Sequence, residues 1–167
     1  MEKLLPHAEK IAAVLKARNE TISVAESSAG GLISAALLAV PGASAYFIGG
    51  AVVYTRKALM ELTQVSEDVL RGLQPGTEAS ALARARMIRE RLSTTWAVSE
   101  AGTAGPTGSR YGYPPGHSSI AVTGPIDAAR IVNTGSADRF ANMYAFAEAT
   151  LVLLAETLAK HHGTGTE

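Results

Sequence analysis

The stretch from Thr21 to Leu37, TISVAESSAGGLISAAL, constrains the fold more than any other part of the chain. A short apolar β-type run, Thr21 to Ala25, stops at Glu26, Ser27, Ser28 and a glycine pair, and an apolar helical run follows at once. A strand that enters a helix through small residues leaves several backbone N–H groups without partners. Glycines let a ligand approach that backbone closely, and the helix dipole adds about half a positive charge there. The junction therefore suits a phosphate or a developing oxyanion. The alternative is a serine N-cap with glycines that serve only packing. It is neither a GxxxxGK[ST] loop nor a G-x-S-x-G elbow.

The flanking sequence supplies helices and strands in alternation. Leu4, Ala8, Ile11, Ala12 and Leu15 form one face of a helix that stops near Asn19. Gly30 to Val40 reads as a helix closed by Pro41-Gly42. Residues 45–55 are β-rich, with the pair Gly49-Gly50 marking a bulge or bend. A short helix at Ala58 to Leu62 follows, then SEDVLRGL with a Ser66 cap and acids in its first turn. Thr77 to Leu92 is a longer helix with Ala81, Ala85, Ile88 and Leu92 on one face. Arg84, Arg89, Glu90 and Arg91 lie largely off that face. Trp96–Ser99, Ser118–Thr123 and Arg130–Asn133 are strands, with Trp96 in the core. A helix carrying the stripe Met143, Ala147, Leu151, Leu154 and Leu158 ends in a solvated His161-His162 pair and a mobile tail at 163–167. The order α β α β α α β, loop, β β α predicts an α/β fold. It is a three-layer α/β/α sandwich with a mixed central sheet, one domain over 1–167 with its core at 5–160. The segment from Ala101 to Gly116 has no periodicity and is expected to be a long functional loop.

Composition removes several classes of function. Fifteen basic residues balance 15 acidic ones, which argues against a broad nucleic-acid or anionic-lipid footprint. There is no cysteine, so disulfides and thiolate metal sites are excluded, and the four histidines fall in no ligand spacing, so no metal is expected. No apolar run reaches the roughly 20 residues that span a bilayer. Charges interrupt the apolar start MEKLLPHAEK, which is unlike a signal peptide, and a cytoplasmic location is the expectation.

Two further segments bear on the junction. GGAVVYTRK carries a strand into Tyr54, Thr55, Arg56 and Lys57, and AGTAGPTG is a small-residue loop after a strand. Three such strand ends converging at one sheet edge would form a ligand site. In these segments the chain resembles the CinA C-terminal domain family, the nicotinamide mononucleotide deamidases. VAESSAGG is similar to its VAES-C/S-T-GG motif, and VVYTRKALMELTQV to its V-x-Y-S-N-E-A-K-x-x-x-L/I-G-V segment. AGTAGPTG, PPGHSSIAV and NTGSADRFANMYAFA follow its S-G-I-A-G-P-x-G, P-x-G-x-V-x-x-A and G-D-R motifs in order, over roughly residues 5–160.

The resemblance implies an oligomeric α/β/α domain that hydrolyses the carboxamide of nicotinamide mononucleotide without a metal or other cofactor. It implies Ser27 as nucleophile, Tyr54 beside it and a lysine as base. Contacts to substrate and phosphate are expected at Glu26, Ser28, Gly30, Gly31, Thr55, Gly102, Gly105, Arg110 and Arg139. The expected partners are a small nucleotide and further copies of the chain, with no nucleic acid and no membrane.

Departures from the pattern open a second reading. Leu59 stands where the family has its lysine, and leucine cannot accept a proton. Lys57 is the nearest substitute base, with Glu26 and Glu100 as carboxylate alternatives. Glu26 is otherwise a buried acid tied to backbone N–H groups. Ala29 and Ala101 replace polar residues of the pattern, and Gly135 and Asp138 are separated by two extra residues. SRYGYPPG, with Arg110, Tyr111 and Tyr113, is a lid or an exposed loop. The alternative function is a catalytically silent module that keeps the pocket for binding or for oligomer assembly.

Overall fold

A computed structural model describes residues 1–161. The tail expected to be mobile at 163–167 and His162 lie outside the described residues. The elements run α1 (Leu5–Arg18), β1 (Ile22–Glu26), α2 (Leu32–Leu38), β2 (Phe47–Val52), α3 (Arg56–Thr63), α4 (Glu67–Leu70), α5 (Glu78–Leu92), β3 (Trp96–Thr103), β4 (His117–Thr123), β5 (Ala128–Asn133) and α6 (Arg139–Lys160). Three helical segments separate β2 from β3. The middle one, α4, is a single turn within SEDVLRGL, and the Ser66 side chain does not make the expected cap.

The sheet order is β2-β1-β3-β4-β5. β1 pairs in parallel with both β2 and β3, whereas β3, β4 and β5 are antiparallel. The mixed sheet follows from the connections. The parallel neighbours of β1 are reached through helical crossovers, whereas β3, β4 and β5 are joined by loops. α1, α2 and α6 cover one face of the sheet and α5 covers the other, giving the expected three layers. The larger core lies under α1, α2 and α6, with Trp96 and Tyr46 fully buried. A smaller cluster of Ala25, Val53, Leu59, Leu70, Met87, Ile88 and Ala97 lies on the α5 side.

Local details differ from the sequence pattern for identifiable reasons. α2 starts at Leu32, not Gly30, because Gly30 and Gly31 hold φ of +66° and +99°. The β1–β2 register slips at Ile48, one residue ahead of the glycine pair. β3 continues to Thr103, so the loop begins at Ala104 and is shorter than expected. The cause is seven-residue pairing with β4, which ends at Thr103 opposite His117. His161 packs edge-on against Trp96, with ring centroids 5.6 Å apart, and is not simply a solvated helix end. No described helix is long and apolar enough to cross a membrane.

Because β1 is flanked by its two parallel neighbours, its C-terminal end lies between crossovers that run to opposite sides. That is the switch point at which open α/β sheets place ligands. The loop after β3 is fixed beside it by Asn142 of α6. Its amide donates to Ala104 O and Ser136 O, both at 2.8 Å, and its Oδ1 accepts from Thr134 Oγ1 at 2.6 Å. Asn142 is buried, so these partners have few substitutes. Asn142→Ala is expected to lower unfolding free energy by about 2–4 kcal/mol in urea titration. A loss below about 0.5 kcal/mol would show that the loop is held by other contacts.

Candidate ligand-binding site

The β1–α2 turn is built around two buried carboxyl groups. Glu26, the last residue of β1, accepts from Gly31 N at 2.9 Å, Ile33 N at 3.1 Å, Ser34 N at 3.0 Å and Ser34 Oγ at 2.7 Å. Glu100 of β3 accepts from Ser27 N at 3.0 Å and Ala29 N at 2.9 Å through Oε2. Its Oε1 accepts from Ser28 Oγ and, at 3.3 Å, from Ser118 Oγ. Both glutamates are fully buried. Burial raises the Glu100 carboxyl above the ordinary range, against the opposing hydrogen bonds from Ser28, Ala29 and Ser27.

This geometry corrects three expectations. Glu26 contacts no ligand space, because its two oxygens cap α2. Gly31 N is committed to Glu26, and Gly30 N donates to Ser27 O at 3.1 Å. Neither glycine lines a cavity. The helix-start amides expected to meet an anion are thus occupied by the chain's own carboxyl groups.

Two adjoining cavities lie beyond the ends of β1, β2 and β3. The first, about 410 Å³, is lined by Ser27, Val53, Leu59, Leu70, Ser80, Arg84, Thr103 and His117, among others. That volume is in the range of small-molecule sites. The second, about 250 Å³, is lined by Ser28 and by the glycine loop from Gly102 to Gly108, with Arg139 at its wall. Tyr54, Gly102, Thr103, Ser109, Arg110 and Tyr111 border both. The structure therefore brings together Ser27, Ser28, Tyr54, Thr55, Gly102, Gly105, Arg110 and Arg139. Thr55 Oγ1 is already used to cap α3, accepting from Ala58 N at 3.1 Å.

Lys57 does not join them. It is exposed on α3, lines neither cavity and makes no hydrogen bond or ion pair among the described residues. The first turn of α3, opened by the Thr55 cap, instead places Leu59 in the wall of the first cavity, 3% exposed. Ser27 lines the same cavity, and its Oγ has no hydrogen-bond partner among the described residues. Glu100 holds the Ser27 amide but bonds the hydroxyl of Ser28. His117 is occupied too. Its Nε2 donates to Gly76 O at 2.8 Å, its Nδ1 lies 3.2 Å from Asn133 Oδ1, and its ring stacks on Tyr113 with centroids 4.0 Å apart.

Arginines dominate the charge around the cavities. Arg139 donates to Gly105 O at 2.7 Å and to Tyr54 Oη at 3.0 Å, which ties α6, the glycine loop and the end of β2 together. Arg110 lies on the loop that borders both cavities, with its guanidinium 6.0 Å from the Tyr111 ring centroid. Arg84 of α5 projects into the first cavity, and its charge lies close enough to Glu100 and Tyr111 to interact with both. Burial disfavours the charged form of Arg84, but a guanidinium stays protonated at any working pH. The helical pattern set Arg84 aside as an off-face residue. The available signal was its i, i+4 spacing from Ser80, a buried serine that lines the same cavity.

The fold and site define an α/β/α domain with a guanidinium-lined small-molecule cavity at the switch point of its parallel strands. Comparison with known proteins agrees with the fold. The family model for the CinA C-terminal domain matches residues 5–158, and the chain belongs to that family. A CinA-like protein from Parasynechococcus marenigrum is 38% identical over 118 residues, 71% of this chain and 28% of the relative. One from Myxococcus xanthus is 38% identical over 136 residues, 80% of this chain and 32% of the relative. The chain thus spans about a third or less of the length of these curated relatives. A CinA superfamily protein from Klebsiella pneumoniae superposes with a TM-score of 0.86 at 24% identity, covering 95% of this chain and 99% of that one. The competence/damage-inducible protein CihA from Agrobacterium tumefaciens gives 0.84 at 26% identity, covering 94% and 96%.

The raised Glu100 carboxyl has a signed consequence. Between the ordinary glutamate value near 4.3 and its raised native value, the folded state binds more protons than the unfolded state. Its contribution to stability is therefore fully present below about pH 4.3 and is lost as pH rises through the native value. Relative to Glu100→Gln, the wild-type protein is expected to lose unfolding free energy in urea titrations as pH rises from the ordinary glutamate value through the raised native value. A difference between the two proteins that is flat across that range would contradict a raised Glu100.

Proposed function

We propose that this chain is a CinA-family domain that binds a small phosphorylated anion, of the pyridine mononucleotide class, in its twin cavities. In this reading the domain no longer hydrolyses the amide. The observation that carries the reading is Leu59 in the cavity wall beside Ser27, with Lys57 outside. A serine hydroxyl without a base is a weak nucleophile at neutral pH, and both Glu100 and His117 are committed elsewhere.

Several features support retention of a ligand. Arg139 and Arg110 provide charge at the second cavity. Thr107 and Gly108 line it, and their amides donate to no acceptor among the described residues. Free loop amides beside guanidinium groups are a fitting cradle for phosphate. The apolar wall of Val53, Leu59, Leu70 and Leu73 in the first cavity suits a flat ring.

The competing reading is the deamidase activity itself, with nicotinamide mononucleotide converted to nicotinate mononucleotide and ammonia by Ser27. Its supporting feature is that Ser27 lines the cavity with a hydroxyl that has no hydrogen-bond partner among the described residues. Ammonia release from nicotinamide mononucleotide, with calorimetric binding run beside it, separates the two. The expected result is binding without turnover. Arg139→Ala should weaken binding about tenfold, as loss of a charge-assisted hydrogen bond does. Turnover by the wild-type protein that disappears in Ser27→Ala would establish the deamidase instead.

A further inference from the structure

We infer that Arg84 makes the Ser27 end of the first cavity a carboxylate site, so that the domain selects a carboxylate-bearing anion over its neutral carboxamide counterpart. The inference rests on the proposed reading that the twin cavities take a mononucleotide.

Arg91 on the same helix and Arg110 at the cavities also lack a hydrogen-bonded partner among the described residues, but both are exposed, whereas the remaining arginines there have protein acceptors. Arg56 bonds Glu67 at 3.3 Å, Arg86 bonds Asp127 at 2.6 Å and Arg139 bonds Gly105 O and Tyr54. Arg84 has none. It makes no hydrogen bond and no ion pair within 4.0 Å among the described residues, although it is partly buried in a cavity wall. Glu100, the carboxyl close enough to influence it, already accepts from two amides and two hydroxyls of the turn and of β4. A partly buried guanidinium without a hydrogen-bonded partner is costly, and an anionic ligand group would lower that cost.

The chemistry of the group follows from the donor set. A guanidinium offers five N–H donors and no acceptor. A carboxylate can take two of them in a bidentate pair. A carboxamide offers one oxygen and turns its NH₂ group toward donors, which leaves an unmatched contact. Phosphate is better served in the second cavity, where Arg139 and the free amides of Thr107 and Gly108 lie. The two cavities adjoin at Tyr54, Gly102 and Thr103, so one ligand can place a phosphate in the second and a ring carboxylate in the first.

Nicotinate mononucleotide and nicotinamide mononucleotide differ only at this group, and calorimetric titration of the intact chain with each tests the assignment. Wild-type protein should bind the acid at least about tenfold more tightly than the amide. Arg84→Gln should bring the ratio close to one while both nucleotides still bind. Arg84→Lys, which keeps the charge without the fork, should retain part of the preference. Equal binding of the two by the wild-type protein, or an undiminished ratio in Arg84→Gln, overturns the inference and leaves the binding reading in place. Binding of neither nucleotide overturns both.

Discussion

The hydrogen bonds from the β1–α2 turn to Glu26 and Glu100 are the constraint on which the site depends. A helix start usually offers its amides to an anion from outside. Here the amides of Gly31, Ile33 and Ser34 converge on Glu26, and those of Ser27 and Ala29 converge on Glu100. Each such donor would cost about 1–3 kcal/mol if buried without a partner, so the two carboxyl groups supply much of what lets the turn be buried at all. They also fix its shape, with Ser27 facing one cavity and Ser28 the other.

That internal capping redistributes charge. The carboxyl groups satisfy the turn's own donors, and the cationic groups around the cavities come from other elements. Arg84 comes from α5, Arg110 from the loop after β3 and Arg139 from the start of α6. Leu59 and its apolar neighbours give the first cavity a wall suited to a ring and unsuited to proton transfer. The scaffold of the family is thus intact, and on the proposed reading the groups lining the cavities favour holding a ligand over activating a serine.

Much of the fold was legible because periodicity reports burial. The α1 stripe of Ala8, Ile11, Ala12 and Leu15 and the α6 stripe of Ala147, Leu151, Leu154 and Leu158 are buried as their spacing requires. Trp96 is in the core, with its indole N–H donating to Glu20 at 2.7 Å. The extra residues of β3 were not legible, because Glu-Ala-Gly-Thr is a loop-like sequence that becomes a strand only through pairing with β4. At the site, motif order placed Ser27, Tyr54 and Arg139 together, but no local pattern could say where a side chain's hydrogen bonds go. Glu26 looked like a ligand contact and is a helix cap. Lys57 looked like a base and is exposed, lining neither cavity. Arg84 looked like a surface residue, because what defines it is the absence of any protein partner, and that is a property of three-dimensional packing.

The most direct measurement is a nuclear magnetic resonance titration of isotope-labelled protein with nicotinate mononucleotide, following backbone amides and arginine side chains together. The account predicts that the Nε–H signals of Arg84 and Arg139 move with saturation, whereas the amides of Gly31, Ile33 and Ser34, already held by Glu26, stay close to their free positions. The largest shifts appearing at Gly31 and Ile33, with the arginine signals unmoved, would mean that the helix start binds the anion after all and would contradict the account.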